Sequence, residues 1–317
     1  MIRAFIFSVL LTTSPALGDV PARLETAFRG WVAENGVSEA VMVVSQRGQQ
    51  VAQVALNRQV DAPIELASLS KSITAVCAAT LIDAGVWTLE TTSAEVLKIG
   101  PAGITVAQLL THGSGIGPDR TQALMYFQFG SADSTAALTT QIALNRPAQS
   151  GRSGKYLYNN ENYAILGEMI AAETGESYVS YCKDAVIIPA GLTTATPSAV
   201  TGTYLPYGGW QMSAQDYARF HWYAYGPQSI IGARVPQWPR AVIEGGADYG
   251  MGMLQRPSGA RYNFWHFGAL CFPLRLNIGA YAVMWMDDWS VVAGFNICTS
   301  ADQRIALDRA LSKAVFP

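Results

Sequence analysis

Hydrophobic positions change their spacing along the chain, and each change marks a new element. Ala22 to Glu34 has helical spacing. Ala40 to Ser45 and Gln50 to Ala55 are β-rich runs around Gln46, Arg47 and Gly48, which predicts a hairpin. Lys71 to Ala84 is small and apolar on every side, through Ile73, Val76, Cys77, Leu81 and Ile82. That pattern predicts a buried helix with Gly85 as its C-terminal cap. Residues 86–205 read as loops and helices, one of them capped by Asn159 or Asn160 and running through Thr174 to a stop at Gly175. The β pattern returns after about residue 208. Arg261 to Gly268 reads as a strand, and Ala280 to Met286 with Trp289 to Ile297 reads as a hairpin turning at Asp287 and Asp288. The order β, helical insert, β predicts an α+β fold: an antiparallel sheet flanked by helices, built from both chain ends, with an inserted mainly helical lobe. In this reading the α/β lobe takes about residues 19–85 and 206–317, and the helical lobe about 86–205.

The first eighteen residues carry a different pattern. Arg3 precedes a short apolar stretch from Ala4 to Leu11, and Ala16 and Gly18 place small residues before a cleavage point. This predicts a signal peptide, cleaved after Gly18, and a periplasmic or secreted product with no stable membrane anchor. An oxidising compartment makes disulfides accessible to Cys77, Cys182, Cys271 and Cys298. Cys271 and Cys298 fall on late segments that form neighbouring strands in this reading, and they are the expected pair. Cys77, inside the apolar helix, reads as a small buried hydrophobe. The spacings match no zinc site, and no metal or cofactor is expected. Net charge is −2 with 14% charged residues and no basic run, so nucleic acid is not an expected partner.

Candidate chemistry begins at Ser68 and Lys71. A serine and a lysine three apart share one helix face. A serine hydroxyl needs a neighbouring base to become a nucleophile, and burial at the head of an apolar helix makes a lysine such a base. The spacing alone is weak, because two of the five lysines carry a serine at −3, the second pair being Ser180 and Lys183. Context favours Ser68, since Lys183 lies in a mixed polar and aromatic stretch. Tyr158 and Asn160, separated by one residue, supply a second proton carrier and an amide. His266 and Gly268 on the late strand supply a ring over the site and a position where a substrate backbone can approach closely. The N–H groups of Ser68 and Ala269 are candidate oxyanion donors. No G-x-S-x-G elbow, P-loop or H-E-x-x-H motif occurs.

The order Ser68, Tyr158, His266 resembles the serine β-lactamase and penicillin-binding family, in its class C and D-alanyl-D-alanine carboxypeptidase branch with esterase relatives. The resemblance extends to Ile64–Ala75, Ile104–Gly115, Tyr158–Gly167, Gly208–Phe220 and Tyr249–Gly252. It implies that Ser68 forms an acyl-enzyme, that Lys71 and Tyr158 move protons, and that Asn160 is the amide and His266 a cation over the site. It implies a substrate that is a small ester, an amide or a peptidoglycan-derived peptide. His266-Phe267-Gly268 stands where β-lactamases of class C carry Lys-Thr-Gly, and Phe267 lacks the hydroxyl. The expected activity is therefore esterase or D-amino-acid peptidase, with β-lactamase as one alternative and a non-catalytic binding or sensor domain as another.

Overall fold

The computed structural model describes residues 20–99, 103–131, 134–146, 152–243 and 245–317. The expected signal peptide lies outside them. In chain order come helix α1 (Val20–Glu34), strands β1 (Ala40–Gln46), β2 (Gln49–Leu56) and β3 (Ile64–Glu65), and helix α2 (Ser70–Asp83). Helices α3 (Ser93–Leu97), α4 (Val106–Leu110), α5 (Thr121–Phe127), α6 (Ala136–Leu144), α7 (Asn160–Thr174) and α8 (Tyr178–Cys182) follow. After β4 (Thr196–Pro197), β5 (Trp210–Met212) and helix α9 (Ala214–Tyr225), the chain forms β6 (Ala241–Ile243), β7 (Ala247–Gly250) and β8 (Met253–Ser258). It ends with β9 (Arg261–Phe272), β10 (Leu276–Trp285), β11 (Trp289–Phe295) and helix α10 (Ala301–Val315).

The fold is α+β. Eight antiparallel strands run in the order β2-β1-β11-β10-β9-β8-β7-β6. The N-terminal hairpin therefore pairs with the last strand, with Ala40 opposite Phe295 and Gln46 opposite Trp289. The strand expected over Arg261 to Gly268 continues to Phe272, and the late hairpin begins at Leu276 rather than Ala280.

The central strands are apolar on both faces because each face has its own cover. In β1, Val41 and Val43 enter the larger core with α2, α7 and α9, while Ala40, Met42 and Val44 enter a second core under α1 and α10. In β10, Ala282 and Met284 take the first side, and Tyr281, Val283 and Trp285 the second. A two-residue period thus supplies two cores at once.

Helix ends follow ordinary capping. The Asn159 side chain accepts from Glu161 N, and Gly175 closes α7 in the left-handed region. Helix α10 carries a capping box between Ser300 and Gln303. Among the described residues, no helix is long and apolar enough to cross a membrane.

Cys271 and Cys298 are bonded. Cys77 is fully buried as expected of a hydrophobe, but it is not a free thiol: it is bonded to Cys182, joining α2 to α8. Helical periodicity places a side chain on a face and is silent about a partner 105 residues away. Loop-closure entropy predicts that the Cys77–Cys182 bond contributes up to about 4.7 kcal/mol and the Cys271–Cys298 bond up to about 3.5 kcal/mol. Replacing the first pair by serines should lower the melting temperature more than replacing the second. Alkylation of the unreduced protein should label no cysteine, and labelling of Cys77 would contradict the pairing.

Candidate active site

The chain enters α2 through a tight turn at Ala67–Leu69, with Ala67 in the left-handed region at φ 46°. A non-glycine residue there stores strain of order 1–3 kcal/mol, kept only where surrounding packing fixes it. That packing is β9. A Cβ on Gly268 would lie 2.3 Å from Leu66 O and 3.2 Å from Ala67 Cβ. Gly268 thus allows the close approach of β9 to the turn that holds Ser68.

Three expected side chains meet at one oxygen. Lys71 Nζ lies 3.1 Å from Ser68 Oγ, and Tyr158 Oη donates to the same oxygen at 2.8 Å. Lys71 is fully buried and also donates to Asn160 Oδ1 at 2.7 Å and to the Tyr207 carbonyl at 2.9 Å. The rings of Tyr158 and Tyr163 face its amine at 4.9 and 5.9 Å. Burial pulls the Lys71 amine down to about 7, against the opposing pull of the Asp119 carboxylate. Burial pushes the Tyr158 phenol above its ordinary value, outweighing its hydrogen bond to Ser68.

His266 is buried beside them, its ring 6.0 Å from that of Tyr158. Its Nδ1 lies 2.7 Å from the Phe267 carbonyl, and its Nε2 lies 3.4 Å from Tyr249 Oη. A carbonyl only accepts, so the proton sits on Nδ1 and Nε2 presents a lone pair. Burial first, and the nearby Lys71 charge second, pull the ring down to about 3. The expectation of a cationic His266 is therefore corrected: near neutral pH this ring is an uncharged acceptor.

The site opens into a cleft of about 340 Å³ lined by Ser68, Tyr158, Asn160, His266 and Ala269. Met125, Leu254 and Leu270 add apolar wall, and Arg304 from α10 adds a positive charge. Strand β8 pairs with β9 only as far as Trp265, so the following stretch of β9, with Ala269, borders the cleft. Phe267 stacks its ring on Tyr281 at 4.2 Å and offers no polar group. The second serine–lysine pair is elsewhere: Ser180 and Lys183 are exposed, and Ser180 donates to Glu176.

Several contributors carry no motif of their own. His112 is buried with its ring 4.4 Å from Tyr158 and 4.6 Å from Tyr249, and its Nδ1 accepts from Asn159 N. It sits within Ile104–Gly115, one of the segments that carry the family resemblance, and here its ring packs against Tyr158. Tyr207 contributes a backbone carbonyl, which no side-chain pattern reveals. Asp119 and Thr121 join through Asn160. Among the described residues, no cluster of three metal-ligating side chains occurs.

The family model described as Beta-lactamase matches residues 24–290. The chain belongs to this family. "Penicillin-binding protein 4*" of Bacillus subtilis (strain 168) is 32% identical over 135 residues, 40% of this chain and 29% of that protein. The chain thus spans less than a third of that relative's length. A penicillin-binding protein homologue from Pyrococcus abyssi superposes with a TM-score of 0.78 at 20% identity, covering 93% of this chain and 77% of that one. A D-stereospecific amidohydrolase from Streptomyces sp. superposes at 0.72 and 19% identity, covering 92% and 98%. These structural likenesses establish the fold.

All three histidines are buried and held uncharged. Burial pulls His112 well below the ordinary 6.5 and pulls His221 to about 3, as it does His266. Unfolded, each takes up a proton below pH 6.5. For His221 and His266 stability is then fully present above that pH and falls toward pH 3, by about 1.4 kcal/mol per pH unit for each of these two rings, and His112 acts in the same direction. Urea midpoints should drop steeply from pH 6.5 to 5, and less steeply in His221→Phe. Equal slopes would contradict the assignment.

Proposed function

We propose that this chain is a secreted serine hydrolase that cleaves ester or amide bonds through an acyl-enzyme on Ser68. The observation that carries the reading is the convergence of a buried lysine and a phenol on one serine oxygen at the mouth of a cleft. An uncharged lysine amine has two protons and one lone pair. Asn160 Oδ1 and the Tyr207 carbonyl take the two protons, which leaves the lone pair for the Ser68 hydroxyl. Lys71 accordingly takes the serine proton as Oγ attacks the substrate carbonyl. Tyr158, kept protonated by burial, holds Oγ and passes a proton to the leaving group, then recovers one from Lys71. The Ser68 and Ala269 N–H groups face the developing oxyanion. Water hydrolyses the acyl-enzyme by the reverse proton path.

The substrate we infer is a small ester or an amide of D-amino-acid type, in keeping with the D-stereospecific amidohydrolase likeness. With His266 uncharged, Arg304 is the cation that lines the cleft toward solvent and the natural partner of a substrate carboxylate. The β-lactamase reading has the family in its favour, but Phe267 provides no hydroxyl for a carboxylate at that place. A purely binding or sensor role would not require a base, a phenol and a nucleophile held within hydrogen-bond distance. Secretion is supported by the pattern of residues 1–18 and by two disulfides.

A fluorophosphonate probe should label the wild type and fail on Ser68→Ala, with the labelling rate rising through a pH of about 7 as Lys71 loses its proton. Equal labelling of Ser68→Ala would sink the reading. Arg304→Gln should raise KM roughly tenfold for peptides ending in a free carboxylate and leave p-nitrophenyl butyrate little changed, the usual scale for one charge-assisted contact. Faster turnover of nitrocefin than of p-nitrophenyl butyrate would favour the β-lactamase alternative.

A further inference from the structure

We propose that Asp119 is a positioning residue that acts through Thr121 to fix which way the Asn160 amide faces, and so aligns Lys71 with Ser68. The inference rests on the reading of Ser68 as nucleophile. Asp119 follows Pro118 in the loop before α5, and its carboxylate hydrogen-bonds Thr121 and Asn160 rather than Lys71 or Ser68. Its Oδ1 accepts from Thr121 N at 2.8 Å and from Thr121 Oγ1 at 2.7 Å, and its Oδ2 accepts from Asn160 N at 3.0 Å.

The direction of every bond in the chain follows from the carboxylate. A carboxylate has no proton to give, so the single hydroxyl proton of Thr121 must point to Asp119. Thr121 Oγ1 then offers only lone pairs to Asn160, whose Nδ2 donates to it at 2.9 Å. The amide is thereby forced to turn Oδ1 toward Lys71, where it accepts at 2.7 Å. A flipped amide would set oxygen against oxygen at Thr121 and, at Lys71, would oppose N–H to the ammonium form or draw the free amine's lone pair away from Ser68. Thr121 is fully buried and Asn160 nearly so, leaving little room for water to compensate either mismatch. With the amide so fixed, one Lys71 proton is committed to Asn160 and another to Tyr207, and the lone pair has one direction left.

The groups facing Lys71 are few. Ser68, the Asn160 amide and the Tyr207 carbonyl bond it, and the rings of Tyr158 and Tyr163 lie 4.9 and 5.9 Å from it. The His112 and His266 rings are near enough to feel its charge, and both are uncharged near neutral pH. Asp119 supplies the negative charge that favours the ammonium form. Orientation and charge are separable: Thr121→Val removes the relay and keeps the carboxylate, whereas Asp119→Asn removes the charge as well.

The test measures the rate constant for fluorophosphonate labelling of Ser68 against pH, together with melting temperatures, in Thr121→Val, Thr121→Ser and Asp119→Asn. Thr121→Val should slow labelling by roughly 100-fold, the scale of a misplaced reacting group. Thr121→Ser, which keeps the hydroxyl, should restore the rate to within a few-fold of the wild type. Asp119→Asn should slow labelling and also move the acid limb to lower pH, because loss of a negative charge makes Lys71 easier to deprotonate. Wild-type rates in Thr121→Val overturn the proposal, and so does a serine variant as slow as the valine one, which would mark a packing role. An acid limb that stays or rises in Asp119→Asn also overturns it. Absence of any label on the wild type overturns the nucleophile reading, and this proposal falls with it.

Discussion

A lysine amine with no access to water is the constraint around which this site is arranged. Burial pulls Lys71 from 10.5 to about 7, so charging it at neutral pH costs far less than full ionisation of an unsolvated amine, yet still on the order of 5 kcal/mol relative to water. An amine in that position must have its protons bonded or the helix around it would not hold. Asn160 and Tyr207 meet that need, and they belong to segments far apart in sequence. The buried helix α2 is thus both the reason the lysine amine releases its proton near pH 7 and the reason the surrounding chain has to converge on it.

The backbone around Ser68 answers the same demand. Ala67 is held in the left-handed region, and β9 presses against it at Gly268, where any side chain would strike Leu66 O. On the other side of the lysine, Gly252 in the left-handed region would place a Cβ 2.6 Å from Ser72 Cα. Two glycines therefore let β9 and the turn between β7 and β8 press on the start of α2. His112 packs its ring against Tyr158, and Asn162 Nδ2 lies 3.1 Å from the His112 Nδ1.

Much of this was legible in residue patterns. The β-rich runs around turn residues marked the hairpins, an apolar stretch of small residues marked α2, and Asn159 or Asn160 marked the start of α7. The family-like segments placed Ser68, Lys71 and Tyr158 in order. What stayed hidden depends on partners distant in sequence or on backbone atoms. Cys182 as the partner of Cys77, the Tyr207 carbonyl and the Asp119–Thr121 relay leave no periodic trace. His266 was visible as a residue but not in its charge state, because burial and the neighbouring lysine decide that, and both arise only on folding.

The proposed chemistry depends on Lys71 releasing its proton near pH 7 inside the folded protein. An NMR titration of the lysine Cε carbons reads this directly, with the Lys71 signal assigned by its absence in Lys71→Met. A midpoint close to 7 is the predicted result. A Lys71 signal that remains that of an ammonium group up to about pH 9, near the range of an ordinary lysine, would contradict it.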